Sequence, residues 1–570
     1  MKSKSIKADT VITVIFLGLE GLLALGVLGF VIKGSPLKSL GCVLWGLVLC
    51  LLYFIRPASP LHKIPAFPGV LGTDSADKTD VAGRKRRITP QSVVTAIVCL
   101  ILILASVLPM GLAPAYNGEY PQHRNQYEIL ARSFLHGHIY MEYDDIDPRL
   151  ATMNNPYDPG ERSELGVAVH SDNAYYKGQY YMYFGAVPVL ILFLPYLAIT
   201  GHDLTTYHAT QVFTAFAILG IFLLFYQIGR RYFKKMSIVT YLCLSCAMSV
   251  IATSCSIAIP ALYCTATSSG ACMMIWSIYF FFTGVFLTDP VKNKWRRVLY
   301  CVLGSFFGAL AFGCRPTAAL GNILLIPFCA EFIASEIREN KTVGKKTNAA
   351  SLAGRVCIVA LPYVIILALI MIYNYARFEN PFEFGQSFQL TGFDQSNYGS
   401  DLSNFSEVRI INGMLTNFIG ISPIRGIFPY IYYQSAFVNY PVLLAVFGVF
   451  LGRIRAKEKK HHLTLFMVML FIGPIFTTFM QMGWAPGDGS AERYRMDIYY
   501  LMVTLAFLTI GFFLECLSEE RRARYGALTC LICLGAMGIT VFFLMYPCDY
   551  NYMHWFPEKL DIARQIIMLF

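Results

Sequence analysis

Charge is scarce in this sequence of 570 residues. Only 14% of the residues are charged and 56% are apolar, against about 25% and about 45–50% in soluble chains. No glycine-rich phosphate-binding loop or dinucleotide fingerprint occurs, so no nucleotide-binding domain is predicted. The 16 cysteines lie mostly inside apolar runs, which predicts neither a disulfide framework nor a zinc site. These absences exclude a string of soluble domains and indicate a polytopic membrane protein.

Apolar runs of the length that crosses a bilayer recur along the whole chain. The predicted spans are residues 11–32, 37–55, 92–112, 207–228, 237–258, 266–287, 298–314, 317–334, 355–376, 436–452, 463–482, 497–516 and 526–546. The lysines before the first run resemble a signal peptide, but a second run follows at once, so an uncleaved anchor is predicted. The predicted fold is therefore all-α, with about thirteen transmembrane helices.

The apolar run 184–199 is short and carries Pro188 and Pro195. Leaving it out of the spans places most of the 46 Lys and Arg residues on one side, which the positive-inside rule assigns to the cytoplasm. We therefore predict a re-entrant or interfacial helix here, a cytoplasmic N-terminus and an outer C-terminus.

This topology divides the chain into five regions. They are the N-terminal spans 1–112 with a basic cytoplasmic loop 56–90, the first outer loop 113–206 with interfacial helices and the predicted catalytic region, the transmembrane core 207–376, the second outer loop 377–435, and the C-terminal spans and outer tail 436–570. The net charge of +11 then anchors inner loops to the cytoplasmic leaflet. No basic patch with interleaved aromatic residues indicates a nucleic-acid partner.

Chemistry is predicted on the outer face, because the spans are nearly free of the charges that ion-coupled transporters need. Residues 122–138 read as an amphipathic helix with an apolar stripe that includes Tyr127, Leu130 and Ala131. The carboxylates of this loop are Glu119, Glu128, Glu142, Asp144, Asp145, Asp147, Asp158, Glu161, Glu164 and Asp172.

Five motifs in order along the chain look like those of the GT-C superfamily of integral-membrane glycosyltransferases. They are Tyr127-x3-Ala131-x5-Gly137, the aromatic stretch from Tyr175 to Pro188, Cys314-Arg-Pro-Thr317, the stretch from Tyr373 to Gly385, and Glu492-Arg-Tyr-Arg-Met-Asp497. The resemblance, which runs from about 113 to 500, is to bacterial members that use a polyprenyl-phosphate sugar donor.

The resemblance implies a carboxylate base for the acceptor hydroxyl. Related enzymes have an acidic residue shortly before the helix alanine, where this chain has His123 and Arg124. The nearest acids are Glu119, our candidate base at the membrane edge, and Glu128, which also suits the polar face of the helix.

The departing lipid phosphate needs cations. The candidates are Arg124, Arg315, Arg425 and Arg493. Arg315 could alternatively form a structural pair with a loop acid. Tyr181 and Tyr183 could stack on sugar rings or belong to an interface belt. Asp144, Asp145 and Asp147 could bind Mg²⁺ or Mn²⁺ or form a solvated acidic turn.

These features together predict a membrane glycosyltransferase. It would transfer a hexose or pentose from a polyprenyl-phosphate donor to a glycan, lipid or protein of the cell envelope. One alternative is a lipid-linked glycan transporter or flippase. Another is a non-catalytic assembly protein of GT-C descent, which the departure at His123 and Arg124 favours.

Overall fold

Ten helices of the chain are long and apolar enough to cross a membrane, within the residues that the computed structural model describes. The described residues are 2–32, 36–56, 59, 70–71, 89–110, 125–258, 260, 262–290, 292–342, 344, 348–396, 407–420, 435–451, 461–484 and 492–545. The protein is a polytopic α-helical membrane protein, as predicted.

The helices are numbered in chain order. They are α1 (Lys2–Ile32), α2 (Pro36–Phe54), α3 (Pro90–Val107), α4 (Gln126–Leu135), α5 (Pro159–Glu164), α6 (Leu194–Thr200), α7 (Thr206–Tyr232), α8 (Ile238–Ala258), α9 (Leu262–Phe282), α10 (Lys294–Cys314), α11 (Leu325–Thr342), α12 (Ala349–Phe378), α13 (Glu407–Met414), α14 (Ala436–Asn439), α15 (His461–Trp484), α16 (Met496–Glu515) and α17 (Glu519–Met545). The 3-10 helices are Pro148–Ala151, Ala318–Leu324, Pro441–Phe450 and Glu492–Arg495, and the π-helical turns are Val189–Phe193, Thr283–Leu287 and Leu415–Ile419.

Every predicted span falls on helical structure. Ten correspond to the long apolar helices. The remaining three, 37–55, 436–452 and 526–546, fall on α2, on α14 with the 3-10 helix Pro441–Phe450, and on α17. Apolar run length thus located the ten helices that are long and apolar enough to cross a membrane, and a crossing by the other three stays a prediction.

Helices α8 and α16 lie at the centre of the bundle, and α1 and α12 at its edge. Helix α8 is rich in Ser, Thr, Cys and Ala, which allow helices to approach closely. Some of their hydroxyls bond within the helix, as where Thr253 Oγ1 donates to Ser249 O at 2.9 Å. Small residues therefore build the core that carries the site.

The segment predicted to be re-entrant or interfacial is a short helix. The π-helical turn Val189–Phe193 continues into α6, and the two reach about 18 Å, well short of the hydrocarbon thickness of about 30 Å. They pack against α4. This length agrees with a segment that does not cross the membrane.

The segment 113–206, which is predicted to be the first outer loop, contains a β-hairpin that the all-α interpretation missed. Strands β1 (Asn173–Tyr176) and β2 (Gln179–Met182) pair antiparallel. Lys177 and Gly178 make the turn with φ of 48° and 84°, as a two-residue hairpin turn requires. The hairpin buries Tyr175, Tyr180 and Tyr181 within the protein, so these side chains do not form an exposed belt.

Candidate functional site

Two motifs from distant parts of the chain meet at one end of the bundle. Arg315 follows α10, and its Nε lies 3.0 and 2.8 Å from the two carboxylate oxygens of Asp497 on α16. Asp497 is fully buried and also accepts hydrogen bonds from Thr317 Oγ1 (2.7 Å) and Gln481 Nε2 (2.9 Å). Burial alone would lower the pKa of Arg315, but the charge of Asp497 holds that pKa above its usual value.

Arg493 lies beside this pair without an acidic partner among the described residues. Its guanidinium carbon is 4.1 Å from the ring centroid of Tyr263 and 5.3 Å from that of Tyr494. Arg315 lies 5.0 Å from the same Tyr494 ring. Two guanidinium groups therefore share one aromatic ring, which attracts both cations and holds them close together.

A carboxylate from the first outer loop reaches this cluster. The Tyr263 hydroxyl donates a hydrogen bond to Asp172 Oδ2, and Gln389 Nε2 lies 3.3 Å from Asp172 Oδ1. The Asp172 backbone is held by α4, since Gln126 Nε2 donates to its carbonyl at 2.7 Å. Asp172 also has a φ of 60°, a conformation that is costly for a residue other than glycine.

Tyr183 completes the cluster. Its pKa is raised to about 12, chiefly by burial and also by Tyr494, while the charges of Arg315 and Arg493 act to lower it. The chain just after Tyr183 lies directly against the end of α10. A Cβ atom on Gly185 would be 2.0 Å from the carbonyl oxygen of Gly313. Only glycine allows this approach.

This arrangement places an anion, two cations and hydroxyl groups at one location. Asp172 is half-buried and could accept a proton from a hydroxyl group. Arg493 and the Nη atoms of Arg315, whose Nε is the atom bound to Asp497, could bind a phosphate. The site therefore has the groups for transfer from a phosphorylated donor.

The structure brings together three of the residues selected from the sequence. Arg315, Arg493 and Tyr183 lie in one cluster, and Arg315 also forms the structural pair that was its alternative role. The other candidates Glu119, Arg124 and Arg425 lie outside the described residues.

Two further candidates, Glu128 and Tyr181, make contacts outside this cluster. Glu128 caps α4, where its carboxylate oxygens accept hydrogen bonds from the backbone N–H groups of Asn125 (3.1 Å) and Thr206 (3.3 Å). This arrangement favours a role in capping. Tyr181 packs edge-on against Phe378, with ring centroids 5.3 Å apart.

Two of the three predicted metal ligands of the loop 113–206, Asp145 and Asp147, contact separate partners. Asp147 Oδ2 lies 2.6 Å from Arg149 Nη2, and this hydrogen bond holds the pKa of Asp147 at about 2. Asp145 Oδ1 lies 2.9 Å from Nε2 of His170. Throughout the described ranges, no three His, Cys, Asp or Glu side chains converge as metal ligands. Two Cys-x-x-Cys pairs, one on α8 (243 and 246) and one on α17 (530 and 533), are among the side chains that do not converge with further metal ligands. A divalent cation stays a prediction from the sequence.

The sequence interpretation did not select Asp172, Tyr263, Gln389 or Asp497. Asp172 was one of many loop carboxylates, although it directly precedes the alternating pattern Asn-Ala-Tyr-Tyr and a Lys-Gly turn that signal a hairpin. Asp497 belongs to the motif 492–497, from which the sequence interpretation selected Arg493 as a phosphate ligand. A buried acid beside two arginines is a signal that could have singled it out.

No protein-family model matches the chain, and no curated protein matches its sequence. Two solved structures are similar to it at 12% identity. One is the Archaeoglobus fulgidus oligosaccharyltransferase in the apo form, with a TM-score of 0.41. The match covers 81% of this chain and 58% of that protein. The other is ArnT from Cupriavidus metallidurans bound to undecaprenyl phosphate, with a TM-score of 0.40 over 83% of this chain and 80% of that one. Both are GT-C glycosyltransferases.

Proposed function

We propose that this protein transfers a sugar from a polyprenyl-phosphate donor to a hydroxyl group of a cell-envelope glycan, lipid or protein at the outer face of the membrane. The observation that carries the proposal is the contact between a loop carboxylate and an arginine without an acidic partner among the described residues, Asp172 and Arg493, through Tyr263. Nucleotide sugars are absent outside the membrane, so a donor there is carried on a lipid phosphate.

The arginines bind the donor phosphate in this proposal. Arg493 supplies a full positive charge, and Arg315 adds its two Nη groups while Nε stays bound to Asp497. Their position at the end of α10 and the start of α16 suits a lipid whose tail stays in the bilayer. Preorganised cations stabilise the charge that develops on the departing phosphate.

Asp172 acts as the base. Its carboxylate takes the proton of the acceptor hydroxyl, whose oxygen forms a bond to the anomeric carbon while the bond from that carbon to the phosphate oxygen breaks. The polyprenyl phosphate leaves with its electron pair, stabilised by the arginines. Because attack and departure occur on opposite faces of the sugar, the anomeric configuration inverts.

The test is transfer of labelled sugar from polyprenyl-phosphate donors by the purified full-length protein. Variants Asp172→Asn and Glu119→Gln separate the two candidate bases, and Glu164→Gln, at an exposed glutamate of the same loop, is the matched control. We expect Asp172→Asn to lose about 10²–10⁴-fold in rate, the usual contribution of general-base catalysis. Thermal unfolding of each variant shows whether the fold persists.

Other outcomes assign the function differently. Loss in Glu119→Gln with activity retained in Asp172→Asn would move the base to Glu119 and contradict the assignment of Asp172. No turnover with any donor despite measurable binding would favour the non-catalytic alternative. Parallel assays with EDTA decide whether a divalent cation takes part.

A further inference from the structure

A second feature lies at the opposite end of α10 from the candidate site. Helices α10, α11 and α12 enclose a cavity of about 130 Å³, close to the size of a cavity that holds a benzene molecule, about 150 Å³. Its lining is almost wholly apolar and includes Phe281, Val285, Phe328, Phe332, Val359 and Tyr363. A cavity with this lining excludes water and favours hydrocarbon.

The cavity opens towards the lipid. Two of its lining residues, Cys329 and Ile333 on α11, are exposed on the surface of the bundle. Helix α12, which forms the opposite wall, lies at the edge of the bundle. The accessible hydrocarbon at this depth is the chain of a membrane lipid.

Three cations crowd the end of this cavity. The guanidinium of Arg297 lies 4.4 Å from the ring centroid of Phe332, a lining residue. Arg355 directly precedes another lining residue on α12. Lys294 lies one turn before Arg297 on α10. The cavity therefore combines an apolar interior with a cationic end.

Three acids act on these cations, namely Asp289, Glu331 and Glu336. Glu336 pairs with Arg355. Glu331 Oε2 is 2.6 Å from His462 Nδ1 and 3.5 Å from Arg338 Nη2. Neither Lys294 nor Arg297 forms an ion pair with a described carboxylate.

Two guanidinium nitrogens at this place are buried without any hydrogen-bond partner. They are Nη1 of Arg297 and Nε of Arg355, on residues that are 1% and 4% exposed. Buried charged groups are normally paired. Because Lys294 and Arg297 form no ion pair with a described carboxylate, the place suits an anionic ligand.

We propose that this cavity binds one anionic phospholipid. Part of an acyl chain occupies the apolar interior, the phosphate contacts the half-exposed ammonium of Lys294, and the buried guanidinium of Arg297 supplies attraction. The phospholipid is favoured over the polyprenyl carrier because the arginines of the candidate site lie about 30 Å away along α10. The excess of Lys and Arg predicts that this end is cytoplasmic, where anionic phospholipids concentrate.

Native mass spectrometry of the full-length protein tests this site without any assay of activity. The probes are palmitoyl-oleoyl phosphatidylglycerol, which is anionic, and the neutral phosphatidylcholine with the same chains. We expect the anionic lipid to bind at least tenfold more tightly to the wild type. Lys294→Glu should abolish this preference, and Cys329→Trp, which fills the cavity, should weaken binding of the anionic lipid at least fivefold.

The matched control is Cys357→Trp, because Cys357 is also exposed to lipid on α12 but does not line the cavity. Unchanged binding in this control supports the site, and thermal unfolding confirms that the variants fold. Equal affinity for both lipids, or equal loss in both tryptophan variants, would overturn the proposal. Displacement of phosphatidylglycerol by undecaprenyl phosphate at lower concentration would assign the cavity to the carrier and overturn the phospholipid assignment.

Discussion

Replacement of Tyr263 by phenylalanine should slow transfer without weakening donor binding. Its hydroxyl donates to Asp172, while its ring lies 4.1 Å from the guanidinium carbon of Arg493. Phenylalanine removes the first contact and retains the second. Tyr263→Leu removes both and should affect the donor as well.

The expected magnitudes follow from the two contacts. A hydrogen bond to a charged group contributes about 1.5–3 kcal/mol, which corresponds to about 10–150-fold in rate if Asp172 must be held in place for proton transfer. A cation–π contact contributes about 0.5–2 kcal/mol. Tyr263→Phe should therefore lower kcat at an unchanged KM for the donor, and Tyr263→Leu should also raise that KM by about 2–30-fold.

Steady-state kinetics with a labelled polyprenyl-phosphate sugar measures both effects. The control is Tyr157→Phe, which removes a 3.0 Å hydrogen bond to the backbone carbonyl of Tyr175 in the same outer region and should leave kcat unchanged. A Tyr263→Phe protein with wild-type kcat would refute the coupling. A variant that changes only the KM would show that the hydroxyl serves donor binding.

Three further outcomes follow from the geometry. Asp497→Asn should destabilise the protein by about 3 kcal/mol in equilibrium unfolding, because it leaves Arg315 in a buried site without its acid. Gly185→Ala should lower both the thermal stability and the transfer rate, since its Cβ would collide with the carbonyl of Gly313. Burial favours the neutral form of Tyr183. The stability that this phenol contributes is therefore complete below pH 10 and lost between pH 10 and about 12. Thermal unfolding of wild type and Tyr183→Phe across that pH range measures this contribution.

Matched variants separate these effects from general damage. Asp144→Asn changes an exposed carboxylate of the first outer loop and should leave stability within about 0.5 kcal/mol. Gly392→Ala adds a Cβ that meets no atom within 4 Å and should be tolerated. Equal losses in Asp497→Asn and Asp144→Asn would contradict the importance of the buried pair.

The transmembrane architecture could be predicted because a membrane imposes one simple rule. A helix must be apolar over about 20 residues to cross the bilayer, and that property is local in the sequence. The hairpin Asn173–Met182 followed a different rule. Its tyrosines read equally as membrane-interface residues, and the decisive signal was the short turn at Lys177 and Gly178.

The candidate site was only partly predictable because its contacts join distant parts of the chain. Asp172 and Tyr263 are 91 positions apart, Asp172 and Gln389 are 217 apart, and Arg315 and Asp497 are 182 apart. The sequence identified the cations because arginines near the ends of apolar helices are rare and costly. It could not choose among many loop carboxylates, because that choice depends on how the loop folds onto α4 and α9.

The two arginines of the site are not equivalent, although both belong to motifs of the same resemblance. Arg315 is held by Asp497, so the pair is close to neutral and its main effect is to fix the ends of α10 and α16. Arg493 faces aromatic rings and forms no ion pair with a described acid. Its positive charge is therefore the one left to attract a phosphate, while the ring of Tyr263 joins it to Asp172. In the proposed mechanism, Arg493 therefore supplies the charge that binds the donor, Arg315 mainly organises the site and adds its Nη groups, and Asp172 receives the proton.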